Sequence, residues 1–463
     1  MIFMKLTGLF ILTVFLLTGC ENTDLTLDRI IASGELRFAT IAGPATYYIT
    51  DHEQTGFEYE LAKKFADRLG VRIIPVVADN TADVVSMVTN NKAAIGGAAL
   101  INSVESEDLV SGPGYYSTPL QLVYRRGDIR PAQFTEMNNN TLNITTYQMQ
   151  SLHNIYPHMN WNVYRDKDTG SLLRMVQNRE INATVAYSHF VNIYKHLYPD
   201  IRAAFDITRP QPVAWIYKKN DKKLDDVIVA FFNDLDNSGE LDNMVERYFG
   251  HLIAFDYIDT VTFLTRVQKR LPQYQQLFIQ AANKYHLDWT LLAAISYQES
   301  HWDPVARSPT GVRGLMMLTQ DTAKHLDIEN RLDPAQSIDG GARYYSSIYN
   351  KIPGRILQPD RIWLALAAYN TGFQNLEAAR ILTQVNGDDP DRWTDVRKTL
   401  LSLAGDKNIM EPKLTEIRWI EPVRYVRNIR KYHDILRWLT AVKIDHDKRA
   451  GSLNALRINS PVL

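Results

Sequence analysis

The sequence predicts a two-lobed α/β fold followed by a mainly α-helical domain. Strand-like and helix-like segments alternate between residues 35 and 186, a pattern typical of a sheet with helices on its faces. An apolar helical run at residues 289–298 lies inside a stretch, residues 266–440, whose length suits one helical domain. The chain has 463 residues, 45% hydrophobic and 22% charged, which is enough for two or three ordinary globular domains.

The beginning of the chain has the pattern of an export signal. Residues 1–20 contain one lysine and an apolar run too short for a transmembrane helix, and they end in Leu-Thr-Gly-Cys. This ending resembles a bacterial lipobox, which implies a signal peptide at residues 1–19 and lipid attachment at Cys20, the only cysteine. Glu21 follows in place of aspartate, and the usual sorting rule for lipoproteins then implies the outer membrane, with the folded domains in the periplasm. An incidental cysteine is the alternative.

The α/β half predicts two lobes. Strands are predicted at residues 35–40, 71–77, 93–100 and 181–186, and helices at residues 59–69, 83–90 and 171–178. The motifs Gly-Glu-Leu-Arg at 34–37, Gly-Phe-Glu-Tyr-Glu-Leu-Ala at 56–62 and Gly-Pro-Gly-Tyr-Tyr at 112–116 resemble the family-3 periplasmic solute-binding proteins. The resemblance implies a regulatory domain at residues 20–262 that binds a ligand in the cleft between its lobes.

Two positions depart from the amino-acid-binding members of that family. Where these proteins hold the ligand carboxylate with an arginine, this chain has Glu105, and where they hold the ligand amine with an aspartate, it has Tyr187. Because Glu105 would place one carboxylate against another, we expect free α-amino acids not to bind in the usual way. The rings of Tyr47 and Tyr116 are candidates for stacking on a cell-wall peptide or an altered ligand, although such rings are more often part of a core.

One carboxylate in the second half is placed for acid–base chemistry. Asp288 is a candidate N-cap for the apolar helix at 289–298, so Glu299 falls where that helix ends, and Pro304 favours a turn soon after. The negative end of the helix dipole and the neighbouring Trp302 both disfavour ionisation, which predicts a raised pKa for Glu299. Such a carboxyl group serves as a general acid near neutral pH. A solvated surface glutamate is the alternative.

Three motifs follow one another in this half. They are Glu-Ser-x-x-x-Pro at 299–304, Ser-Pro-x-Gly-x-x-Gly-Leu-Met at 308–316 and Ala-Ala-Tyr-Asn-Thr-Gly at 367–372. Together they resemble the signature motifs of the family-1 lytic transglycosylases, which share the goose-type lysozyme fold. The resemblance implies a catalytic domain at residues 263–440 that cleaves the β-1,4 bond between MurNAc and GlcNAc in peptidoglycan. The family's reaction is non-hydrolytic and leaves 1,6-anhydro-MurNAc ends.

Most glycosidases use two carboxyl groups, but the sequence near Glu299 favours a mechanism with one. The nearest acidic residues are Asp288, Asp303 and Asp321, and Asp303 beside a proline is typical of a turn. In the single-acid mechanism Glu299 first protonates the glycosidic oxygen. As a carboxylate it then removes the proton of the C6 hydroxyl of the same MurNAc, which closes the anhydro ring.

The same resemblance implies that Ser308, Tyr369 and Asn370 line the groove beside Glu299, where they hold the N-acetyl groups of the sugars and orient the acid. Hydroxyl, phenol and amide groups suit an uncharged sugar. The alternatives are a loop serine before a proline and a buried Tyr-Asn pair that satisfies backbone groups.

The family pattern is altered at two places. Met317 stands where many members have glutamine, so any sugar contact from that side chain is lost. The segment 421–432 resembles the closing helix of the family, in which Glu421 and Tyr425 lie one helical turn apart and are further candidates for substrate binding. Pro422, next to Glu421, makes the local geometry hard to predict, so both residues rank below the other candidates.

The composition argues against several classes of partner. A net charge of −1 argues against nucleic acid, and the chain has no glycine-rich phosphate loop, so we expect no cofactor. The segment 166–170 begins like a calcium loop, but Gln177 occupies the place of the ligand glutamate, and we expect no metal. The tail at residues 441–463 remains unassigned.

The resemblance of the two halves to these two families, in this order, implies an enzyme whose cleft is opened or blocked according to what the first module binds, with cell-wall peptides as the favoured ligands. That coupling is a hypothesis supported by the domain order alone. Two other functions stay open. One is a lipid-anchored solute-binding protein whose inactive second domain only binds the wall, and the other is a lysozyme-like hydrolase, which would admit water and leave reducing MurNAc ends.

Overall fold

A computed structural model describes residues 26–50, 53–101, 108–134, 141–309, 311–405 and 419–450. Three predictions lie outside these residues: the signal peptide with Cys20, the unusual acidic residue Glu105, and residues 451–463 of the unassigned tail. None of the described helices is long and apolar enough to span a membrane.

Two five-stranded sheets form the two predicted lobes. The strands are β1 Glu35–Ile41, β2 Tyr48–Ile49, β3 Gln54–Thr55, β4 Arg72–Ala78, β5 Ile95–Gly96, β6 Leu109–Ser111, β7 Tyr116–Thr118, β8 Leu120–Arg125, β9 Leu142–Thr145, β10 Trp161–Tyr164, β11 Ala183–Tyr187, β12 Ile201–Asp206, β13 Gln211–Val213 and β14 Ile216–Lys218. The sheet of the first lobe has the order β4-β1-β5-β14-β6, and that of the second lobe has the order β10-β9-β11-β8-β12. In each sheet three neighbouring strands pair in parallel, and the fourth pairs antiparallel with the strands on both sides.

Helices cover these sheets and then continue as a second domain. They are α1 Leu27–Ser33, α2 Phe57–Leu69, α3 Thr81–Thr89, α4 Thr146–Ile155, α5 Thr169–Gln177, α6 Ser188–Tyr194, α7 Lys222–Asn237, α8 Glu240–Phe249, α9 Tyr257–Lys269, α10 Gln275–Tyr285, α11 Trp289–Ser300, α12 Gln320–His325, α13 Pro334–Lys351, α14 Asp360–Thr371, α15 Phe373–Val385, α16 Trp393–Gly405 and α17 Ile420–Ala450. Helices α9 to α17 make up the second domain, which confirms the prediction of an α/β half followed by a mainly helical one.

The predicted strand at residues 93–100 is much shorter than expected. Only Ile95 and Gly96 pair in the sheet, although the whole segment is buried. The chain leaves the ladder because the backbone N–H of Ala99 donates to the buried carboxylate of Glu58 at 2.8 Å, and Ala99 has a positive φ of 52°. The hydrophobic run therefore predicted the burial and the place of the strand correctly but overestimated its length.

The predicted boundary between residues 262 and 263 falls inside α9. This helix begins at Tyr257 because the Asp256 carboxylate caps its first turn. The guanidinium of Arg126 lies 3.6 Å from the centre of the Tyr257 ring, and the Tyr257 hydroxyl donates to Asp200 at 3.0 Å. The start of α9 is thus fixed to the second lobe.

Helix α11 is the centre of the helical domain. Every residue from Trp289 to Tyr297 is buried, so the helix is apolar on all sides. Helix α17 packs against both α11 and α14, and it continues to Ala450, past the predicted domain end at residue 440.

The loop that follows α11 is held against that helix by hydrogen bonds. The hydroxyls of Ser296 and Ser300 both donate to the carbonyl oxygen of Leu315, at 3.0 and 2.8 Å. The turn before Leu315 requires glycine, because Gly314 has a φ of +83° and a Cβ atom there would lie 1.8 Å from the carbonyl oxygen of Arg331.

We predict that Gly314→Ala destabilises the helical domain far more than Gly311→Ala. The two glycines have nearly the same φ, +83° and +84°, but no described atom lies within 4 Å of a Cβ placed at Gly311. Gly311→Ala should cost only the backbone strain, about 1–2 kcal/mol, and Gly314→Ala roughly 3 kcal/mol or more because of the added clash. Urea unfolding of the two full-length variants measures the difference, and equal costs would contradict this account of the turn.

Candidate active site

Helix α11 carries Glu299 to the edge of the helical domain. The carboxylate of Asp288 accepts a hydrogen bond from the backbone N–H of Thr290 at 2.8 Å, which confirms the predicted N-cap. At the other end, His301 and Trp302 both adopt left-handed backbone conformations, with φ of 54° and 56°. The chain therefore turns immediately after Glu299, earlier than Pro304 alone would require.

The Glu299 carboxyl group is half-buried and has a close phenolic partner. The hydroxyl of Tyr425 donates to Glu299 Oε1 at 2.6 Å. Burial raises the pKa of Glu299 to about 7, and the hydrogen bond from Tyr425 lowers it by a smaller amount. The group is therefore present in both protonated and ionised forms near neutral pH.

The raised pKa was predicted, but not all of its causes. Trp302 packs against Phe263 and Tyr297 in the core, and its indole N–H donates to the carbonyl oxygen of Ala293 at 2.9 Å. Its role is thus to fix the turn after α11. Desolvation of Glu299 by the domain as a whole, with α17 across it, accounts for the shift.

The three acidic residues nearest to Glu299 in the sequence form a hydrogen bond, form an ion pair or are exposed to solvent. Asp303 accepts a hydrogen bond from the backbone N–H of Val305 at 3.1 Å, as expected of a turn former. Asp288 pairs with His433 at 2.9 Å, and Asp321 is exposed in the first turn of α12. Among the residues that the structure describes, no other carboxylate contributes to the pKa shift of Glu299.

Tyr369 joins Glu299 and Tyr425 in one cluster. Its ring stacks on that of Tyr425, with centres 6.3 Å apart and an angle of 16°, and its hydroxyl donates to the carbonyl oxygen of Met316 at 3.5 Å. Burial raises the pKa of Tyr369, and a negative charge on Glu299 raises it further, which places the two groups within electrostatic reach. Tyr344, which no motif indicated, packs its ring 5.3 Å from that of Tyr369.

The remaining predicted site residues lie in the loop after α11, at the end of α14 and at the start of α17. The Ser308 hydroxyl accepts a hydrogen bond from the backbone N–H of Val312 at 3.3 Å, within the loop between α11 and α12. Met317 is half-buried in the same loop. Asn370 and Glu421 are exposed, at the end of α14 and in the first turn of α17.

Tyr425 contacts Glu299 directly, although the sequence placed it below the other candidates for substrate binding. Pro422 made the local geometry hard to predict from the sequence. Because α17 begins at Ile420, Pro422 lies in the first turn of the helix, where backbone N–H groups have no partner within the helix, so the proline costs no hydrogen bond. The spacing of Glu421 and Tyr425 in a helical segment was the available signal. It did not show which of the two residues meets Glu299.

The cleft between the lobes forms a cavity of about 790 Å³. Tyr47 lines it, as predicted, together with Asp79 from the first lobe and Arg174 from the second. Trp438 of α17 also reaches its wall.

Two residues predicted for this cleft do not line it. Tyr187 is the last residue of β11, and every residue of this strand is buried. The Tyr187 side chain is accordingly only 5% exposed, and its ring stacks on that of His189. Tyr116 packs against His189 and Phe249. Tyr187 therefore belongs to the core and the half-buried Tyr116 packs against it, which agrees with the stated alternative for such rings. In the described part of the chain, no group of three or more His, Cys, Asp and Glu side chains is arranged to hold a metal ion.

Comparisons with known families match both halves of the chain. The family model for the transglycosylase SLT domain matches residues 276–389. The model for bacterial extracellular solute-binding proteins, family 3, matches residues 36–251. The order of the two modules is thus the order that the sequence motifs predicted.

Curated relatives match both modules together. Membrane-bound lytic murein transglycosylase F of Hahella chejuensis is 40% identical over 434 residues, 92% of this chain and 85% of the relative. The protein of the same name from Erwinia tasmaniensis is 40% identical over 413 residues, 88% and 83% of the two chains. Among solved structures, a cysteine-binding protein from Campylobacter jejuni matches 50% of this chain and 95% of its own, with 17% identity and a TM-score of 0.46. From the identity and coverage of the curated relatives, the chain belongs to the membrane-bound lytic murein transglycosylase F family.

Proposed function

We propose that Glu299 is the single acid–base residue of this peptidoglycan lytic transglycosylase. The observation that carries the proposal is its environment: a half-buried carboxyl group with a pKa near 7, held by Tyr425. A pKa near the working pH is what a group needs to act first as an acid and then as a base. The second carboxylate of an ordinary glycosidase has no counterpart among the described residues that influence Glu299.

The reaction then proceeds in two proton transfers. Protonated Glu299 gives its proton to the glycosidic oxygen between MurNAc and GlcNAc, and the bond from C1 of MurNAc to that oxygen breaks. The Glu299 carboxylate next takes the proton of the C6 hydroxyl of the same MurNAc while O6 bonds to C1. The 1,6-anhydro ring closes, Glu299 regains its proton, and no water is consumed. Tyr425 supports the second step because its hydrogen bond stabilises the carboxylate form.

The groove around Glu299 supplies the contacts to the sugars in this proposal. Tyr369 and the hydroxyl of Ser308 lie near the acid or on its adjoining loop, and the exposed side chains of Asn370 and Glu421 are available to a long glycan strand. These groups suit the hydroxyl and N-acetyl groups of the substrate.

For the first module we propose a cell-wall peptide as the ligand, bound between the lobes. The cavity of about 790 Å³ is in the size range of small-molecule sites, and it presents acidic Asp79 and Asp168 as well as basic Arg174. Groups of both signs suit a peptide, which carries both carboxylates and an amine. We further propose that the protein hangs from the periplasmic face of the outer membrane by a lipid on Cys20.

We predict that Glu299→Gln abolishes the production of anhydro-muropeptides from peptidoglycan sacculi, lowering the rate by about 10²-fold or more. The matched control is Asp303→Asn, because a second catalytic carboxylate would make that change equally harmful. Mass spectrometry of the digests measures both the amount and the chemistry of the product. Loss of activity in Asp303→Asn, or products heavier by one water, would contradict the single-acid mechanism.

We predict that Tyr425→Phe moves the alkaline limb of the pH profile of kcat/KM to higher pH. The wild-type limb should fall as pH rises through about 7, since the acid form of Glu299 is lost there. The Tyr425 hydrogen bond lowers that pKa, so its removal keeps Glu299 protonated to higher pH. Tyr432→Phe, on the same helix, is the control and should leave the limb unchanged. A limb that stays in place or moves to lower pH in Tyr425→Phe would refute the assignment.

We predict that a saturating muropeptide changes the shape or the activity of the full-length protein. The response should be weakened by Arg174→Gln, which removes one of the two arginine side chains that line the interlobe cavity, and kept by Arg209→Gln, an exposed residue outside it. Small-angle X-ray scattering and the rate of sacculus digestion are the readouts. If neither changes at saturation, the regulatory role of the first module is wrong.

A further inference from the structure

A second cavity, of about 700 Å³, lies between the two domains. The first lobe contributes the β2–β3 hairpin and the end of α8, and the helical domain contributes the end of α10, the start of α14 and one face of α17. Glu299 does not line it. Its volume is within the range of small-molecule sites, and its walls come from both modules.

The cavity contains a buried cation without an ion-pair partner. Arg430 is 6% exposed, and among the described residues no carboxylate oxygen lies within 4.0 Å of it. Its Nη2 donates to the carbonyl oxygen of Arg247 at 2.8 Å and to Nδ1 of His251 at 3.1 Å, and its guanidinium lies 3.9 Å from the centre of the Trp363 ring. Burial lowers the pKa of Arg430 to about 10. A buried charge of this kind is costly unless something compensates it.

Two further guanidinium groups in the lining also have unmet hydrogen-bonding capacity. The Nε atoms of Arg247 and Arg437 are buried and have no hydrogen-bond partner among the residues that the structure describes. Each of these residues already has a carboxylate on its terminal nitrogens, Glu60 at 3.3 Å for Arg247 and Glu53 at 2.5 Å for Arg437. What the cavity lacks is therefore acceptors rather than donors.

The acidic residues of the lining do not supply these acceptors. Asp434 pairs with His251 at 2.6 Å, and Asp288 pairs with His433 at 2.9 Å while it caps α11. Asp434, Glu246 and Asp360 stabilise the charge of Arg430, but each acts from beyond ion-pair distance.

We propose that this interdomain cavity binds a small organic anion, whose carboxylate is held by Arg430. The body of the ligand would lie against the aromatic wall that Tyr48, Tyr248, Phe249 and Trp438 provide. Nη2 of Arg430 already donates to Arg247 and His251, so the carboxylate would accept charge-assisted hydrogen bonds from the remaining N–H groups of the guanidinium. The ligand bridges the two domains, because Arg430 belongs to the helical domain and Tyr48 to the first lobe. This proposal does not depend on the catalytic role of Glu299.

The test uses two carboxylate probes with the full-length chain: hippurate, for a free aromatic acid, and N-acetyl-D-alanyl-D-alanine, for a peptide end. Each is compared by calorimetric titration with its uncharged amide. We expect at least one acid to bind and its amide to bind about tenfold more weakly or not at all. Binding of only one acid identifies the source of the carboxylate.

Three variants locate the site. Arg430→Gln should weaken binding of the acid by about tenfold or more. Asn283→Trp, an exposed residue of the lining, should block the cavity while leaving every arginine contact in place, which covers the case that Arg430→Gln fails to fold. Arg209→Gln, an exposed residue that lines neither cavity, should bind like the wild type. The proposal is overturned if neither acid binds, if the amides bind equally well, or if Asn283→Trp binds normally.

Discussion

The close packing of α17 over the end of α11 is the constraint on which the active site depends. It buries Glu299, brings the Tyr425 hydroxyl to 2.6 Å from it and raises its pKa to about 7. A glutamate exposed at the same helix end would have a pKa near its ordinary value of 4.5 and would be almost completely ionised at neutral pH. The hydrogen bonds from Ser296 and Ser300 to Leu315 hold the loop that follows α11 in place beside the end of that helix.

Helix α17 also connects the acid to the first module. Tyr425 and Trp438 lie 13 residues apart, roughly 20 Å along the helix. Trp438 lines both the interlobe and the interdomain cavity, and Arg437 beside it pairs with Glu53 of the β2–β3 hairpin at 2.5 Å. One helix therefore contacts Glu299 and both candidate ligand sites. A ligand that favours one domain arrangement would act on the position of Tyr425 by the same linkage.

The sequence predicted the fold class, the helix that carries Glu299 and the raised pKa of that group, because local patterns of apolar residues and caps determine these features. It could not predict what depends on residues distant in the chain. Tyr425 lies 126 positions from Glu299, and only the packing of α17 shows that it donates to the acid. Tertiary contacts likewise bury Tyr187 and keep Ala99, near the end of the predicted strand at residues 93–100, out of the sheet.

The most direct test of the central claim is to measure the pKa of Glu299 itself. Infrared difference spectra between the wild type and Glu299→Gln, recorded across pH in the absence of substrate, isolate the carbonyl band of this one protonated carboxyl group. Because the pKa of Glu299 is raised to about 7, the band should be present at pH 5.5 and should disappear as the pH rises, with a titration midpoint of about 7. A midpoint near 4.5, the ordinary value for glutamate, would contradict it, because the group could not then act as an acid at neutral pH.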